Sequence, residues 1–108
     1  MKSVYMGNWS NSEGMLGDFN ADASVLEGYN VVVAIYEYGH YDGTAFVLLE
    51  KDGNYFEVNG SHCSCYGLEG QWSLEESAEL ALKHRYEKGD GYGCFGSVSD
   101  VLKEHFGW

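Results

Sequence analysis

The chain has 108 residues, enough for one domain, with 44% hydrophobic and 16% aromatic residues. Seventeen acidic residues face six basic ones, a formal net charge of −11. The aromatic content excludes an intrinsically disordered acidic chain. The shortage of Lys and Arg excludes a direct binder of nucleic-acid phosphates, and the lack of an 18-residue apolar run excludes a transmembrane helix. Met1 to Gly14 is polar, without the apolar stretch of a secretory signal.

In chain order, residues 1–20 read as an irregular N-terminal arm. Gly, Asn and Ser punctuate it, and a short strand is expected around Ser3 to Met6. Asn20 or Asp22 can cap a short helix through Glu27, ended by Gly28. Asn30 to Tyr38 is β-branched and aromatic, hence a strand. Thr44 to Glu50 is a second strand and Tyr55 to Val58 a third, with Asp52-Gly53 as the hairpin turn between them. Residues 30–58 therefore form an antiparallel meander. Strict alternation puts Val31, Val33 and Ile35 on one face and Val32, Ala34 and Tyr36 on the other. A sheet apolar on both sides must be covered on both, by helices, by the arm or by a second copy in a homodimer.

Residues 59–72 read as a Cys/His-rich loop and residues 73–106 as two helices. Ser73 with Glu76 has the form of a capping box, and Leu74, Ala78, Ala81 and Leu82 make one apolar stripe. Ser97 with Asp100 caps the last helix, whose stripe is Val98, Val101, Leu102 and His105. The expected fold is a single α+β domain: a three- to four-stranded antiparallel sheet with two C-terminal helices and a short N-terminal one.

Charge is unevenly placed. Residues 1–82 carry 13 acids and two Lys, whereas residues 83–108 carry four acids and four bases. The acidic excess thus precedes the C-terminal quarter. It suits solubility, and it equally suits a face that meets a basic partner. The acids nearest the Cys loop, Glu69, Glu75, Glu76 and Glu79, and the turn residues Tyr41 and Asp42, are the candidate binding residues. The Tyr-rich stretch Tyr36, Tyr38, Tyr41 reads first as sheet packing and second as an interface anchor.

Three cysteines with no signal segment point to reduced thiols in a cytoplasmic setting. Cys63, Cys65 and Cys94 with His62 or His84 could supply the four ligands of a zinc ion. The Cys-x-Cys spacing is not that of the usual knuckle, and buried small hydrophobes are the commoner fate of free Cys. A Cys nucleophile with a His base would need a signature that the surrounding residues lack, so the balance falls against an enzyme. The glycines at 89, 91 and 93 follow no strand and precede no Gly-Lys-Ser/Thr, which argues against a phosphate cradle.

The segment from Tyr41 to Trp72, above all Glu57-Val58-Asn59-Gly60-Ser61-His62-Cys63-Ser64-Cys65-Tyr66-Gly67-Leu68-Glu69, resembles a family of small bacteriophage proteins. Tyr5 to Ser10 and the terminal Gly107-Trp108 also fit. The resemblance implies a phage origin and the cytoplasm of an infected bacterium, and it implies no activity. By analogy of class, small acidic phage proteins include inhibitors of host machinery and of CRISPR-type defence. The expectation is therefore a non-enzymatic inhibitor of a host or defence protein with a basic surface. It would act with no cofactor, no nucleic-acid contact and no membrane. The alternatives are a small zinc-binding or Cys-dependent protein centred on His62, Cys63 and Cys65, and a DNA mimic.

Overall fold

The computed structural model describes residues 3–38, 42–63, 67–87 and 98–108. It is an α+β structure around one five-stranded mixed sheet in the order β1-β2-β3-β4-β5. The strands are β1 (Val4–Gly7), β2 (Asn30–Tyr38), β3 (Asp42–Lys51), β4 (Asn54–Cys63) and β5 (Glu75–Glu76). The helices are α1 (Ser12–Phe19), α2 (Glu79–Glu87) and α3 (Ser99–Phe106), with a 3-10 turn at Ala23–Leu26.

The expected meander is present as β2, β3 and β4, with Asp52 (φ 54°) and Gly53 (φ 82°) forming the tight turn. The two positive φ values are those of a hairpin turn whose twist matches the strands. The sheet is not purely antiparallel, because β1 runs parallel to β2, Val4 opposite Val33 and Gly7 opposite Tyr36. A parallel neighbour needs a crossover connection, and α1 with the 3-10 turn supplies it. Eight residues of the expected irregular arm are thus helix. Asn11 caps α1 by accepting from the Gly14 N–H at 2.9 Å, and Asn20 closes it in the left-handed conformation. The second short helix is capped as expected, with Asp22 accepting from the Ser24 N–H at 2.9 Å.

Both faces of the sheet are covered. On the first face Val31, Ala34, Tyr36, Ala45, Val47, Leu49 and Val58 pack under α1 (Met15, Leu16, Phe19), Trp9 and Leu68. On the second, Val32, Val33, Ile35, Phe46 and Leu48 pack under Leu82 of α2 and Val98 and Leu102 by α3. The split within β2 differs from strict alternation. A bulge between Val31 and Val33 gives two residues to one partner position, so Val32 joins Val33 and Ile35 while Val31 joins Ala34 and Tyr36.

Two expectations about residues 59–76 are overturned. The first part of the expected loop is strand, since β4 continues to Cys63. Gly60 serves close approach there: a Cβ on it would stand 2.9 Å from Leu68 Cδ2 and 3.4 Å from Phe19 Cε1. Ser73 and Glu76 form no capping box, because Glu75 and Glu76 pair with Glu57 and Phe56, and the Ser77 N–H donates to the Tyr55 carbonyl at 2.8 Å. Adding a strand to β4 satisfies these backbone groups in place of a helical turn. Leu74 accordingly packs with the first cluster and Leu82 with the second, so the expected single stripe spans both faces of the sheet. The expected cap of the last helix falls partly at Ser97, outside the described residues. Val98 holds the N-cap position of α3 without a side-chain hydrogen bond. No helix among the described residues is long and apolar enough to cross a membrane.

Candidate interaction surface

At the end of the sheet where β2 finishes and β3 begins, Tyr38, Gly43 and His62 stand in register across three strands. The buried Tyr36 hydroxyl is hydrogen-bonded to Nε2 of the equally buried His62, whose Nδ1 lies 2.8 Å from the Cys63 carbonyl. A carbonyl can only accept, so Nδ1 carries the hydrogen. In the neutral ring, Nε2 accepts from the phenol. Gly43 makes room for this pair: a Cβ there would lie 2.5 Å from His62 Nε2 and 3.0 Å from Tyr36 Cε1. Burial pushes the Tyr36 phenol above its ordinary value, with the charges of Asp18, Tyr38 and Glu69 adding to the effect.

Tyr38 leans on this buried pair. Its ring centroid is 6.2 Å from that of Tyr36 and 5.3 Å from that of His62, yet 50% of its surface is open to solvent. Trp9 packs beside Tyr36 at 5.3 Å and donates from Nε1 to Asp18 at 2.7 Å, which holds that carboxylate near the same end.

The two covering layers differ in charge. Residues 8–29 with 67–72 hold five acids, Glu13, Asp18, Asp22, Glu27 and Glu69, and no Lys, Arg or His. No cation stands within ion-pair distance of these five among the described residues. The opposite layer mixes Lys83, His84, Arg85, Lys103 and His105 with Glu79, Glu87, Asp100 and Glu104. Arg85 reaches the sheet, where Nη1 lies 2.9 Å from the buried Glu57. Lys51 joins the acidic side only at its far rim, with Nζ 5.0 Å from the centre of the Tyr29 ring.

The candidate binding residues fall into two groups. Asp42, exposed at the head of β3, and Glu69, exposed and accepting from the Gly67 N–H at 3.1 Å, belong to the Tyr38 end and to the acidic layer respectively. Glu75 and Glu76 lie on the edge strand β5 and Glu79 opens α2, away from Glu69. Glu76 and Glu79 border a half-open groove of about 180 Å³ with Gly53, Asn54, Tyr55, Ser77 and Ala78. Tyr41 lies outside the described residues. The sequence reading missed Asp18, Glu13, Asp22 and Glu27. Their signal was the stretch from Asn8 to Tyr29 without a single base.

Of the candidate metal ligands, His62 has both ring nitrogens engaged within the protein. Cys63 is exposed and, by strand alternation, points to the opposite face. His84 is exposed on α2, across the sheet from His62. Cys65 and Cys94 lie outside the described residues. Among the described residues no group of three or more His, Cys, Asp or Glu is placed to hold a metal ion.

The chain matches no protein-family model, no curated protein and no solved structure.

Proposed function

We propose that this is a non-enzymatic binding protein that uses its acidic layer to occupy a basic surface on another protein. In the setting implied by the sequence resemblance, that partner is a host or host-defence protein in the cytoplasm of a phage-infected bacterium, and binding inhibits it. The observation that carries the reading is the segregation of charge. Five carboxylates share one layer that Lys51 enters only at its far rim, while the opposite layer is mixed. Carboxylates that folding leaves without cations remain free to steer and match a positive partner. Tyr38, half-exposed at the rim, is the kind of side chain that anchors such contacts.

The test is affinity capture from host lysate with three baits: the native chain, a Glu13→Gln/Glu27→Gln/Glu69→Gln variant, and a Glu87→Gln/Glu104→Gln control on the other layer. One protein should be retained by the native chain and the control and lost by the acidic-layer variant. Equal capture by all three baits, or none by the native chain, refutes the proposal.

A further inference from the structure

Charge steers a partner to a face but does not fix where it docks. An anchor does, and Tyr38 has the properties of one. Two buried aromatic rings back it, and those rings are fixed by the Tyr36–His62 hydrogen bond and by the His62–Cys63 carbonyl contact. A ring held in this way loses little freedom when something docks on it, so less of the contact energy is lost to ordering. The residue directly opposite on β3 is Gly43, so no neighbouring side chain shields the ring from that strand. The charge on its side of the sheet is negative: Asp18 and Glu69 adjoin Phe19 and Leu68 of the covering layer, and both stand close enough to raise the neighbouring Tyr36 phenol.

The structure also shows which chemistry a tyrosine on this side of the sheet receives. At the far end, Tyr29 carries an ammonium over its ring, that of Lys51 at 5.0 Å. Tyr29 is thus occupied by the chain's own cation, while Tyr38 has a comparable ring and no cation over it among the described residues. A π face flanked by carboxylates favours a planar guanidinium, which stacks on the ring and keeps its N–H fork for a carboxylate. We infer that Tyr38 is the docking point of the acidic layer, and that it receives an arginine side chain from a basic segment of the partner protein. Asp18 and Glu69, in the layer that covers the same face, are the carboxylates placed to share that guanidinium. The inference rests on the reading of the acidic layer given above and names the chemistry of its partner.

The experiment is a titration of a short, fluorescently labelled arginine-rich peptide into the native full chain, Tyr38→Phe and Tyr38→Leu. A lysine peptide of equal length is run alongside, each at low and at physiological salt. Thermal unfolding of all three proteins checks that the half-exposed site has not disturbed the fold. Tyr38→Phe should bind the arginine peptide as the native chain does, because the π face remains. Tyr38→Leu, which stays apolar but loses the π face, should weaken it roughly two- to fivefold. The lysine peptide should bind the native chain more weakly and respond less to Tyr38→Leu. Salt-sensitive binding that is indifferent to Tyr38→Leu overturns the anchor and leaves the acidic-layer reading standing. Equal response of the two peptides overturns the assignment to arginine. If neither peptide binds even at low salt, the acidic-layer reading itself falls.

Discussion

At the scale of single residues, the end of the sheet depends on an absent side chain. Gly43 is required because the His62 ring occupies the place of its Cβ, and β-sheet backbone and a buried ring cannot both move aside. Gly43→Ala is expected to cost about 1–3 kcal/mol, as overpacking does, read as a lower denaturation midpoint at unchanged slope. Tyr36→Phe removes the partner of His62 Nε2 in a buried place and should cost a similar amount. The tyrosines also predict a response to alkali. Tyr36 and Tyr55 are both raised by burial, Tyr36 further by Asp18 and Tyr55 further by Glu50 and Glu79. A phenol that ionises later in the folded state than in the unfolded one adds stability that is fully present below the ordinary tyrosine value of 10.0. That stability is lost as pH rises through the folded value. Unfolding free energy measured upward from pH 9 should therefore fall, and Tyr36→Phe should flatten part of that fall.

At the scale of elements, competing backbone partners explain which helices form. Ser73 and Asn11 are both good N-cap residues by type, but only Asn11 caps a helix. Asn11→Ala should cost about 1 kcal/mol, while Ser73→Ala, exposed ahead of a strand, should stay within the roughly 0.5 kcal/mol usual for surface changes. Chemical denaturation of the two variants makes the comparison directly. The Glu57–Arg85 pair ties β4 to α2, with Asn59 Nδ2 donating to the same carboxylate at 2.8 Å. Arg85→Met leaves a buried carboxylate without its cation and should cost about 2 kcal/mol. That is less than a fully buried pair would lose, because the Arg85 side chain remains 28% exposed. The double variant Glu57→Leu/Arg85→Met should regain most of the loss.

The same scale shows how far the sequence carried. The three meander strands and the Asp52-Gly53 turn were legible because their signals are local: β-branched runs and a two-residue turn dipeptide. The parallel pairing of β1, the strand character of Glu75-Glu76 and the bulge at Val32 were not. Each is fixed by which distant backbone offers hydrogen bonds, a contest that local propensity does not register. The Tyr36–His62 pair was hidden for a related reason: its 26-residue separation is closed only by the register of β2, β3 and β4.

At the scale of the whole molecule, the uneven charge of the sequence becomes a difference between two layers of the fold. The N-terminal stretch without bases forms one cover of the sheet, and the base-containing C-terminal helices form the other. The candidate acids Glu75, Glu76 and Glu79 separate from Glu69, so nearness in sequence to the Cys loop was a poor guide to a shared face. Asp18, from the far end of the chain, comes close enough to Tyr36 to act on it alongside Glu69. Carboxylates crowded on one layer repel one another. Moderate salt should therefore raise thermal stability by screening them, and the Glu13→Gln/Glu27→Gln/Glu69→Gln variant should gain less from salt than the native chain. The measurement that bears most directly on the central claim is the association rate with the captured partner as ionic strength is raised. The rate should fall steeply for the native chain and for Glu87→Gln/Glu104→Gln, and start lower and fall less for Glu13→Gln/Glu27→Gln/Glu69→Gln. An association rate that ignores salt, or that the two variants change equally, would contradict the account.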